Sequence, residues 1–529
     1  MFQDPPTYQN SGCFSELIND YLDQKPSISK WYNRFPELSN FEAQIAEKLK
    51  NYSKVNRTVL VNSLKKQYQK FDVSDSISIN INLLAKDNTF TITTGHQLNL
   101  FSGPVYFLYK IISTINLCKQ LRLRYPNHHF VPIYWMATED HDFEEINFFN
   151  FKEKKIYWNK TSSGAVGQGS TEGLKAVLEV FSEHLGQSEN ANYLKKLFEN
   201  AYLKHDNLTD ATRYFVTQLF ANQGLVIIDG QDSSLKKMFS NVIIDELSHQ
   251  TSFEKVTNTI AALQPYKIQV NPREINLFYL QKNSRERIVF EEGNFKINNT
   301  TIIYSLSEIL ELAINNPENF SPNVILRPLY QEQILPNLCY IGGGGEIGYW
   351  LQLKTVFESH NTTFPMLLLR NSVVVATKKQ LEKARNLSLS MTDLFMKQET
   401  LILNKTKEIS PQLHHFEDLK AQLKIQFENL YQIVATTDSS FLGAVKAQES
   451  KQINGLEKLE KRFLKAQKRH FSQQLQQIRV LQNELFPNQN LQERHLNFSE
   501  FYLEMGPKFI AQLLEKLEPL SQKFTIIEI

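Results

Sequence analysis

The stretch Thr91–Lys110, TITTGHQLNLFSGPVYFLYK, constrains the fold more than any other part of the chain. Thr89–Thr93 alternates and is rich in β-branched and aromatic residues, which predicts a short strand. A loop of about ten residues follows, and Gly103-Pro104 then opens an apolar helix predicted to run to about Leu123. A strand, a polar loop and a helix N-terminus in this order are typical of a ligand site in an open α/β sheet, because free N–H groups and the helix dipole favour an anion there.

Polar groups in this loop and on the following helix are candidate ligand contacts. On the helix, the polar positions share a face that is separate from the buried apolar stripe. An ordinary βα unit with a long polar loop would produce the same pattern without a ligand. The candidates are Thr94, Gly95, His96, Gln97, Asn99, Gly103, Tyr106 and Lys110.

Charge and cysteine content narrow the function classes. The chain has 529 residues, enough for two or three domains, and a net charge of +2 that argues against a dedicated nucleic-acid or membrane binder. Cys13, Cys118 and Cys339 are widely spaced, so neither a disulfide framework nor a zinc site is expected. No apolar run approaches the length of a membrane span and the first residues do not resemble a signal peptide, so we expect a cytoplasmic protein.

An acidic cluster follows the next strand. Phe130–Met136 is a nearly continuous apolar run, as expected of a strand buried on both faces. Five carboxylates and a histidine lie within Glu139–Glu145, just past its carboxyl end. Such a cluster could bind Mg²⁺, hold an ammonium group or supply a general base, or it could simply be an acidic helix N-terminus. The candidates are Glu139, Asp140, His141 and Asp142.

A run of four glycines marks the second informative block, Ser321–Trp350. A short strand, Leu338–Ile341, leads into it, and a helix is expected from about Ile347. Four glycines allow close approach of the backbone and could form an anion nest. The spacing also satisfies G-x-G-x-x-G, which is weak alone, and no lysine of a P-loop follows. The candidates are Arg327, Gly342, Gly343, Gly344, Glu346, Tyr349 and, after the next strand, Arg370.

The remaining pattern divides the chain into regions. We predict a Rossmann-like, doubly wound α/β core over residues 1–377, with a helical connecting segment at about 150–221 and a small α+β segment at about 251–320. Residues 74–82 alternate and favour a strand. Residues 378–490 carry long apolar seams typical of an antiparallel coiled coil, read as core and dimer interface rather than a cofactor site. Residues 491–529 are expected to rejoin the core.

Three long blocks, TGHQLNLFSGPVYFLYK, PIYWMATEDHDFEEINF and SPNVILRPLYQEQILPNLCYIGGGGEIGYW, resemble the bacillithiol biosynthesis cysteine-adding enzyme family. NLQERHLNFSEFY is similar to the C-terminal region of that family. The resemblance implies a Rossmann-like core related to class I aminoacyl-tRNA synthetases and a coiled coil that makes a homodimer. It also implies a ligase that joins cysteine to glucosaminyl malate through an amide. His96 departs from the second glutamine expected there, and no Lys-Met-Ser-Lys-Ser signature is visible.

The chemistry of amide formation agrees with these residues. A carboxylate must be activated before it acylates an amine, so we expect ATP as a cosubstrate and Mg²⁺ with it. Donors for phosphate oxygens would be the two glycine-containing loops, Lys110 and Arg370. Two rival interpretations stay open: a non-catalytic nucleotide-binding coiled-coil scaffold, and an NADP-dependent oxidoreductase based on the glycine fingerprint.

Overall fold

A five-stranded parallel sheet organises the N-terminal part of the molecule. In this computed structural model, which describes residues 5–436 and 440–529, the sheet has the order β12-β11-β1-β2-β5. The predicted Rossmann-like parallel sheet is therefore confirmed. The strands are β1 (Thr89–His96), β2 (His129–Met136), β3 (Phe148–Phe151), β4 (Lys154–Tyr157), β5 (Val226–Asp229), β6 (Leu277–Gln281), β7 (Ser284–Glu291), β8 (Asn294–Ile297), β9 (Ile303–Tyr304), β10 (Phe320–Pro322), β11 (Asn337–Gly342), β12 (Met366–Leu369), β13 (Val373–Ala376) and β14 (Thr525–Glu528).

The register of the sheet brings the carboxyl ends of its strands to one edge. His96 pairs with Met136, and Met136 pairs with Asp229 on the other side. Thr94 pairs with Ile341, so the loops after β1 and β11 leave the sheet side by side. Gly342 pairs with Leu369, so the carboxyl end of β12 lies at the same edge. Between β1 and β11 the strand order reverses direction, which is where open α/β sheets bind their ligands.

Helices cover both faces of this sheet and build the C-terminal region. Their apolar side chains form a large buried cluster and a second, smaller one that joins α2 and α5 to β1, β2, β11 and β12. The helices are α1 (Glu16–Leu22), α2 (Phe41–Asn51), α3 (Lys54–Tyr68), α4 (Asp75–Leu83), α5 (Tyr106–Arg124), α6 (Phe143–Ile146), α7 (Leu174–Leu185), α8 (Glu189–Tyr202), α9 (Leu208–Phe220), α10 (Ser233–Lys237), α11 (Ser240–His249), α12 (Thr251–Ala262), α13 (Leu306–Asn315), α14 (Leu326–Ile334), α15 (Gly344–Trp350), α16 (Lys354–Ser359), α17 (Lys378–Asn386), α18 (Met391–Phe395), α19 (Gln398–Glu408), α20 (His414–Val434), α21 (Ser440–His470), α22 (Ser472–Leu485), α23 (Phe498–Met505) and α24 (Pro507–Lys516).

The strand favoured for residues 74–82 is wrong, because this stretch forms helix α4. Its alternating isoleucines match a strand, yet Ile77 and Ile81, one helical turn apart, are both buried, and Ile79 is exposed. The neighbouring elements offer an apolar surface to one side of a helix, and that packing outweighs the local pattern.

Two connecting segments flank the carboxyl edge of the sheet. The first joins the β3–β4 hairpin to helices α7–α9. The second is a small antiparallel sheet of order β10-β6-β7-β8-β9, accompanied by α13. This second segment contributes side chains to a cavity of about 530 Å³, which is treated below.

The apolar residues of the C-terminal helices pack in two separate places. Apolar residues of α17, α18 and α22 belong to the main core cluster. Only α20 and α21, which we call the helical arm, carry a separate small cluster. Phe416 contacts Phe463 and Tyr431 donates a hydrogen bond to Glu449, so the start of one helix packs on the end of the other.

Candidate functional site

The switch point between β1 and β11 is filled by an ion pair. Lys110, on α5, is almost completely buried and donates to Glu346 Oε1 at 2.7 Å and Oε2 at 2.9 Å. The same ammonium donates to the Gly95 carbonyl at the end of β1. Tyr340 donates from its hydroxyl to Glu346 Oε2 at 2.6 Å. We call Gly95, His96, Lys110, Tyr340, Glu346 and Arg370 the switch-point cluster.

The charge of Glu346 is stabilised by this surrounding. Burial alone would raise the pKa of the carboxyl, but the Lys110 ammonium and hydrogen bonds from Lys110, Tyr340 and the Gly343 N–H outweigh it and lower the pKa to about 2. Burial also lowers the pKa of the Lys110 ammonium, against the opposing effect of Glu346. Lys110 is therefore committed to a carboxylate, and its predicted role as a phosphate donor would require Glu346 to release it.

The expected glycine nest is wrong. Gly342 ends β11, Gly343 is the N-cap of α15 at φ −77°, and Gly344 already belongs to the helix. None of them has a positive φ. The Gly343 N–H donates to Glu346 Oε1 at 3.0 Å, so the capping carboxylate occupies the position that an anion was expected to take.

Arg370 is paired across the two regions of the chain. Its NH2 lies 2.8 Å from Oε1 of Glu493, and both side chains are buried. Glu493 also accepts from the Ser372 hydroxyl at 3.1 Å and from the Val373 N–H at 2.9 Å. The guanidinium lies over the Tyr106 ring, 4.8 Å from its centroid. A free anion-binding arginine was expected here, and the structure instead shows a buried ion pair.

His96 lies at the end of β1 between two aromatic rings. Its ring centroid is 5.4 Å from that of Tyr106 and 5.0 Å from that of Phe107. Burial lowers the pKa of the imidazole to about 3, and the positive charges of Lys110 and Arg370 act in the same direction. The ring is therefore neutral at physiological pH, and its Nε2 is buried with no hydrogen-bond partner within residues 5–436 and 440–529.

Several loop candidates are held by the fold itself. The Thr94 hydroxyl donates to the Ile341 carbonyl at 2.8 Å and so joins β1 to β11. Gly103 has φ +59°, and a Cβ there would lie 2.8 Å from the Asn99 Cβ, which explains the need for glycine. Tyr349 accepts from Arg327 NH2 at 3.3 Å. Thr94 and Tyr349 lie near the predicted site, but their hydroxyl groups already have protein partners.

A larger cavity opens beside the switch-point cluster, between the carboxyl end of β2 and the second connecting segment. Its volume is about 530 Å³, within the usual range for small-molecule sites. Trp135, Phe278 and Tyr330 give it apolar walls. Four arginines also line it, and we call it the arginine cavity: Arg273, Arg285, Arg287 and Arg327.

The guanidinium groups of this cavity differ in their hydrogen bonds, ion pairs and ring contacts. Arg285 stacks 3.9 Å from the Phe278 ring centroid and donates to the Ser321 hydroxyl and the Pro322 carbonyl. Arg273 and Arg287 have no side-chain ion pair or hydrogen bond in the described part of the chain. Unpaired guanidinium groups at the wall of a cavity are typical of a carboxylate- or phosphate-binding site.

The acidic cluster after β2 reaches the same cavity. Glu139 lies 2.6 Å from the buried Lys236 ammonium and accepts from Ser321 at 2.8 Å. Asp140 accepts from Gln97 Nε2 at 2.8 Å and from the His141 N–H at 2.8 Å, and its side chain is 30% exposed. The structure thus places Glu139 in an ion pair and leaves Asp140 open to the cavity.

His141 and Asp142 lie further out. His141 Nδ1 meets the NH1 donor of Arg285 at 2.9 Å, and its ring is half exposed. Asp142 is exposed and precedes the short helix α6. Of the four residues predicted to be catalytic, His96, Asp140, His141 and Asp142, Asp140 is therefore the one whose carboxylate both lines the cavity and is fixed by hydrogen bonds.

A protein-only metal site is not formed. Among the described residues no three histidine, cysteine or carboxylate side chains lie together as a metal would require. Mg²⁺ commonly binds through one or two carboxylates together with substrate phosphates. Asp140 could supply such a carboxylate only alongside a phosphorylated ligand.

Sequence reasoning missed Arg273, Arg285, Arg287, Lys236 and Glu493. The three arginines lie in the second connecting segment, where the sequence showed only short strands with no motif. The signal for Arg285 and Arg287 was the sequence RERI, in which two arginines lie two positions apart and so share one face of a strand, whereas Arg273 left no comparable signal. Glu493 lies more than a hundred residues from Arg370 and left no local signal.

The chain was compared with known proteins. Residues 4–371 match the family described as "Bacillithiol biosynthesis BshC, N-terminal Rossmann-like domain". Residues 373–529 match "Bacillithiol biosynthesis BshC, C-terminal coiled-coil domain". Together the two matches span nearly the whole chain.

Individual relatives agree with the family match. A Flavobacterium johnsoniae protein named "Putative cysteine ligase BshC" is 62% identical over 523 residues, which cover 99% of each chain. A Flavobacterium psychrophilum protein of the same name is 57% identical and covers 99% of this chain and 98% of its own. Among solved structures, Mycobacterium tuberculosis methionyl-tRNA synthetase is 11% identical, covers 81% of this chain and 91% of its own, and has a TM-score of 0.24, too low to carry an argument.

Proposed function

The chain belongs to the bacillithiol biosynthesis BshC family, and from that membership we propose that it is a ligase that joins L-cysteine to glucosaminyl malate through an amide bond. The observation that supports this substrate is the arginine cavity, because the malyl group would bring two carboxylates. Arg273 and Arg287, which lack protein partners, suit those carboxylates.

Asp140 is the residue we assign to the amine. The nucleophile is the amino group of the sugar, which loses a proton as its nitrogen attacks the activated carboxyl carbon of cysteine and displaces the phosphate or AMP that ATP had attached there. A carboxylate that is fixed by Gln97 and still open to the cavity can hold the ammonium and then accept that proton. Trp135 and Tyr330 would limit access of water to the reacting carboxyl group.

ATP is part of the proposal on chemical grounds. It supplies the activation of the cysteine carboxyl group, and Mg²⁺ would enter with its phosphates. The phosphate donors expected at the switch point are largely engaged, Lys110 by Glu346 and Arg370 by Glu493. Arg327, which lines both the arginine cavity and the smaller pocket beside Gly95, is the donor that remains for a phosphate.

We further propose that the protein is a homodimer through the helical arm and acts in the cytoplasm. Large apolar side chains on the outer faces of α20 and α21 are exposed, among them Ile425, Ile433, Phe441 and Leu459. A second copy would cover them.

No helix among the described residues has the length and apolar character needed to cross a membrane. Cys13, Cys118 and Cys339 are unpaired, as a reducing compartment favours.

The test is amide formation by the purified protein with L-cysteine, glucosaminyl malate and ATP, read by mass spectrometry of the product. Arg287→Ala should raise KM for glucosaminyl malate about 10- to 100-fold, the value of a lost charge-assisted hydrogen bond, and Asp140→Asn should lower kcat about 100-fold or more. Arg479→Ala, at an exposed position on α22, is the control.

The outcome separates the rival interpretations. No product in the presence of all three substrates, with an unchanged thiol pool in cells that lack the gene, would favour the non-catalytic scaffold. If Asp140→Asn lowers the melting temperature and leaves turnover normal, Asp140 only supports the turn at His141. The oxidoreductase alternative predicts an absorbance change when NADPH is titrated with the protein and a thiol or disulfide, and no change would exclude it.

A further inference from the structure

The long helix α21 of the helical arm carries an excess of positive charge. Eight lysines and arginines and three glutamates lie within Ser440–His470. The net charge of +2 for the whole chain conceals this local excess. Six exposed cations share one side of the helix, and we call them the basic stripe: Lys451, Lys458, Lys461, Arg462, Lys465 and Arg469. We propose that the basic stripe binds the phosphate backbone of a double-helical nucleic acid.

The helix geometry places these six side chains in a row. At 3.6 residues per turn they fall within an arc of about 100°, and they extend over about 27 Å of helix. Between Lys451 and Arg469, Asn454 is the one other residue whose position falls within this arc. The stripe therefore contains no carboxylate, and it is too long to serve a single small anion.

The partner helix of the arm lies on the opposite side of α21. Phe463 packs on a phenylalanine in the first turn of α20, with 5.6 Å between ring centroids, and Glu460 accepts from Lys420 of α20 at 2.6 Å. Both positions lie about 140–160° around the helix from Lys465, the centre of the stripe. Leu459, which the proposed second copy would cover, lies about 120° from the same point. The basic stripe thus stays open to solvent in a monomer and in a dimer formed through the apolar side chains of the arm.

The cations of the stripe repel one another and have no counter-charge. In the described part of the chain, the ion pairs of the arm are those of Lys420 with Glu417 and Glu460, and none includes a member of the stripe. Lys461 and Lys465 lie four positions apart, as do two other pairs of the stripe. Like charges at this spacing destabilise a helix, so a polyanion along the stripe would relieve a repulsion that the protein leaves uncompensated.

The composition of the arc narrows the class of polyanion. An acidic partner helix would need an apolar seam between the charges, and the arc has none. Single-stranded nucleic acid is held by stacking on aromatic rings, which the arc also lacks. A helix that lies on a lipid surface inserts large apolar side chains, and none falls within the arc. A row of lysines and arginines without these groups suits the phosphates of a duplex, whose backbone is bound through charge alone.

The experiment measures the fluorescence anisotropy of a short labelled duplex, longer than the stripe, with the full-length protein. DNA and RNA duplexes of the same sequence are compared, and the tighter of the two identifies the source of the phosphates. Each DNA phosphate neutralised contributes about −0.9 to the slope of log K against log salt, so contact by four to six cations predicts a slope of about −3.6 to −5.4.

Two variants with the same net charge separate the stripe from the rest of the surface. The stripe variant should bind at least 10-fold more weakly and give a slope shallower by about 3.6. It carries Lys458→Gln, Lys461→Gln, Arg462→Gln and Lys465→Gln. The body control should bind as the unmodified protein does, because its exposed charges are scattered far from the stripe and screened by salt. It carries Lys50→Gln, Lys175→Gln, Lys237→Gln and Lys508→Gln.

Each result decides the proposal. It is overturned if neither duplex binds at low salt, or if the stripe variant and the body control lose the same affinity. It is also overturned if poly-L-glutamate or vesicles containing phosphatidylserine bind more tightly than the duplex, because the partner would then be an acidic protein or a membrane. The replaced side chains are exposed, so both variants should fold, and equal melting temperatures would verify this. Amide formation should be unchanged in the stripe variant, so the result does not depend on the proposed function.

Discussion

The switch-point cluster and the arginine cavity are neighbours that use charge in opposite ways. At the switch point each charged side chain has a charged partner, as in Lys110 with Glu346 and Arg370 with Glu493. In the arginine cavity, Arg273 and Arg287 lack such partners. The switch point between β1 and β11, where this type of sheet usually binds a ligand, is thus largely filled by side chains of the protein. The room for a substrate lies one strand away, where an inserted segment adds the arginines.

The largest effect should come from breaking a pair at the switch point. Glu493→Gln leaves the Arg370 guanidinium buried without its counter-charge, so the free energy of unfolding should fall by about 3–5 kcal/mol. Arg287→Ala in the arginine cavity removes no ion pair, so it should change the free energy of unfolding by about 0.5 kcal/mol or less. Urea denaturation of both variants, with the exposed Glu515→Gln as control, measures the contrast. Equal losses for Glu493→Gln and Arg287→Ala would erase the distinction between the two regions.

A smaller and pH-dependent effect is expected at His96. The imidazole has a pKa of about 3 in the folded protein against an ordinary value of 6.5. Above pH 6.5 neither state binds the proton. As the pH falls from 6.5 towards 3, only the unfolded chain takes it up, so folding stability declines. His96→Gln should therefore lose less stability than the unmodified protein between pH 7 and pH 4.

Melting temperatures measured across that pH range check the His96 prediction. His470→Gln, at an exposed position of the helical arm, serves as control. Parallel pH curves for the unmodified protein and His96→Gln would mean that His96 is not kept neutral by its surroundings.

Only a small loss of stability is expected from a change at Gly343. A Cβ there would lie 3.5 Å from Glu346 Oε1 and 3.9 Å from Arg370 Nε, which are ordinary contacts. Gly343→Ala should therefore cost about 1 kcal/mol or less and leave turnover near normal. Gly230→Ala is the matching change in the arginine cavity, where a Cβ would lie 2.5 Å from Trp135 Cζ2. Loss of activity in Gly343→Ala with full activity in Gly230→Ala would reverse the assignment of the two regions.

The parts of the fold that could be predicted were those set by local pattern. The apolar runs of β1, β2 and β11, each ending in polar or glycine residues, indicated the sheet and its carboxyl edge. Residues 74–82 show the limit, because their perfect alternation indicates a strand and tertiary packing makes them helix α4.

In the candidate site too, some residues could be placed from the sequence and others could not. Asp140 and Gln97 follow strands directly, and the sequence could place them at the edge of the sheet. The pairing of Arg370 with Glu493 joins residues 123 positions apart, and no pattern in the chain encodes which charge meets which. The capping of Gly343 by Glu346 was also hidden, because four glycines permit a loop as readily as a helix start.

The helical arm leaves the body of the molecule and returns to it at one place. α19, before the arm, packs against α22, which follows it, while β13 and β14 pair in parallel further along the same region. The arm is therefore a hairpin whose base has a fixed width. Whole turns could be added to or removed from both helices together without moving the base. The length of the arm can therefore change, in evolution or by design, while the sheet and the arginine cavity keep their geometry.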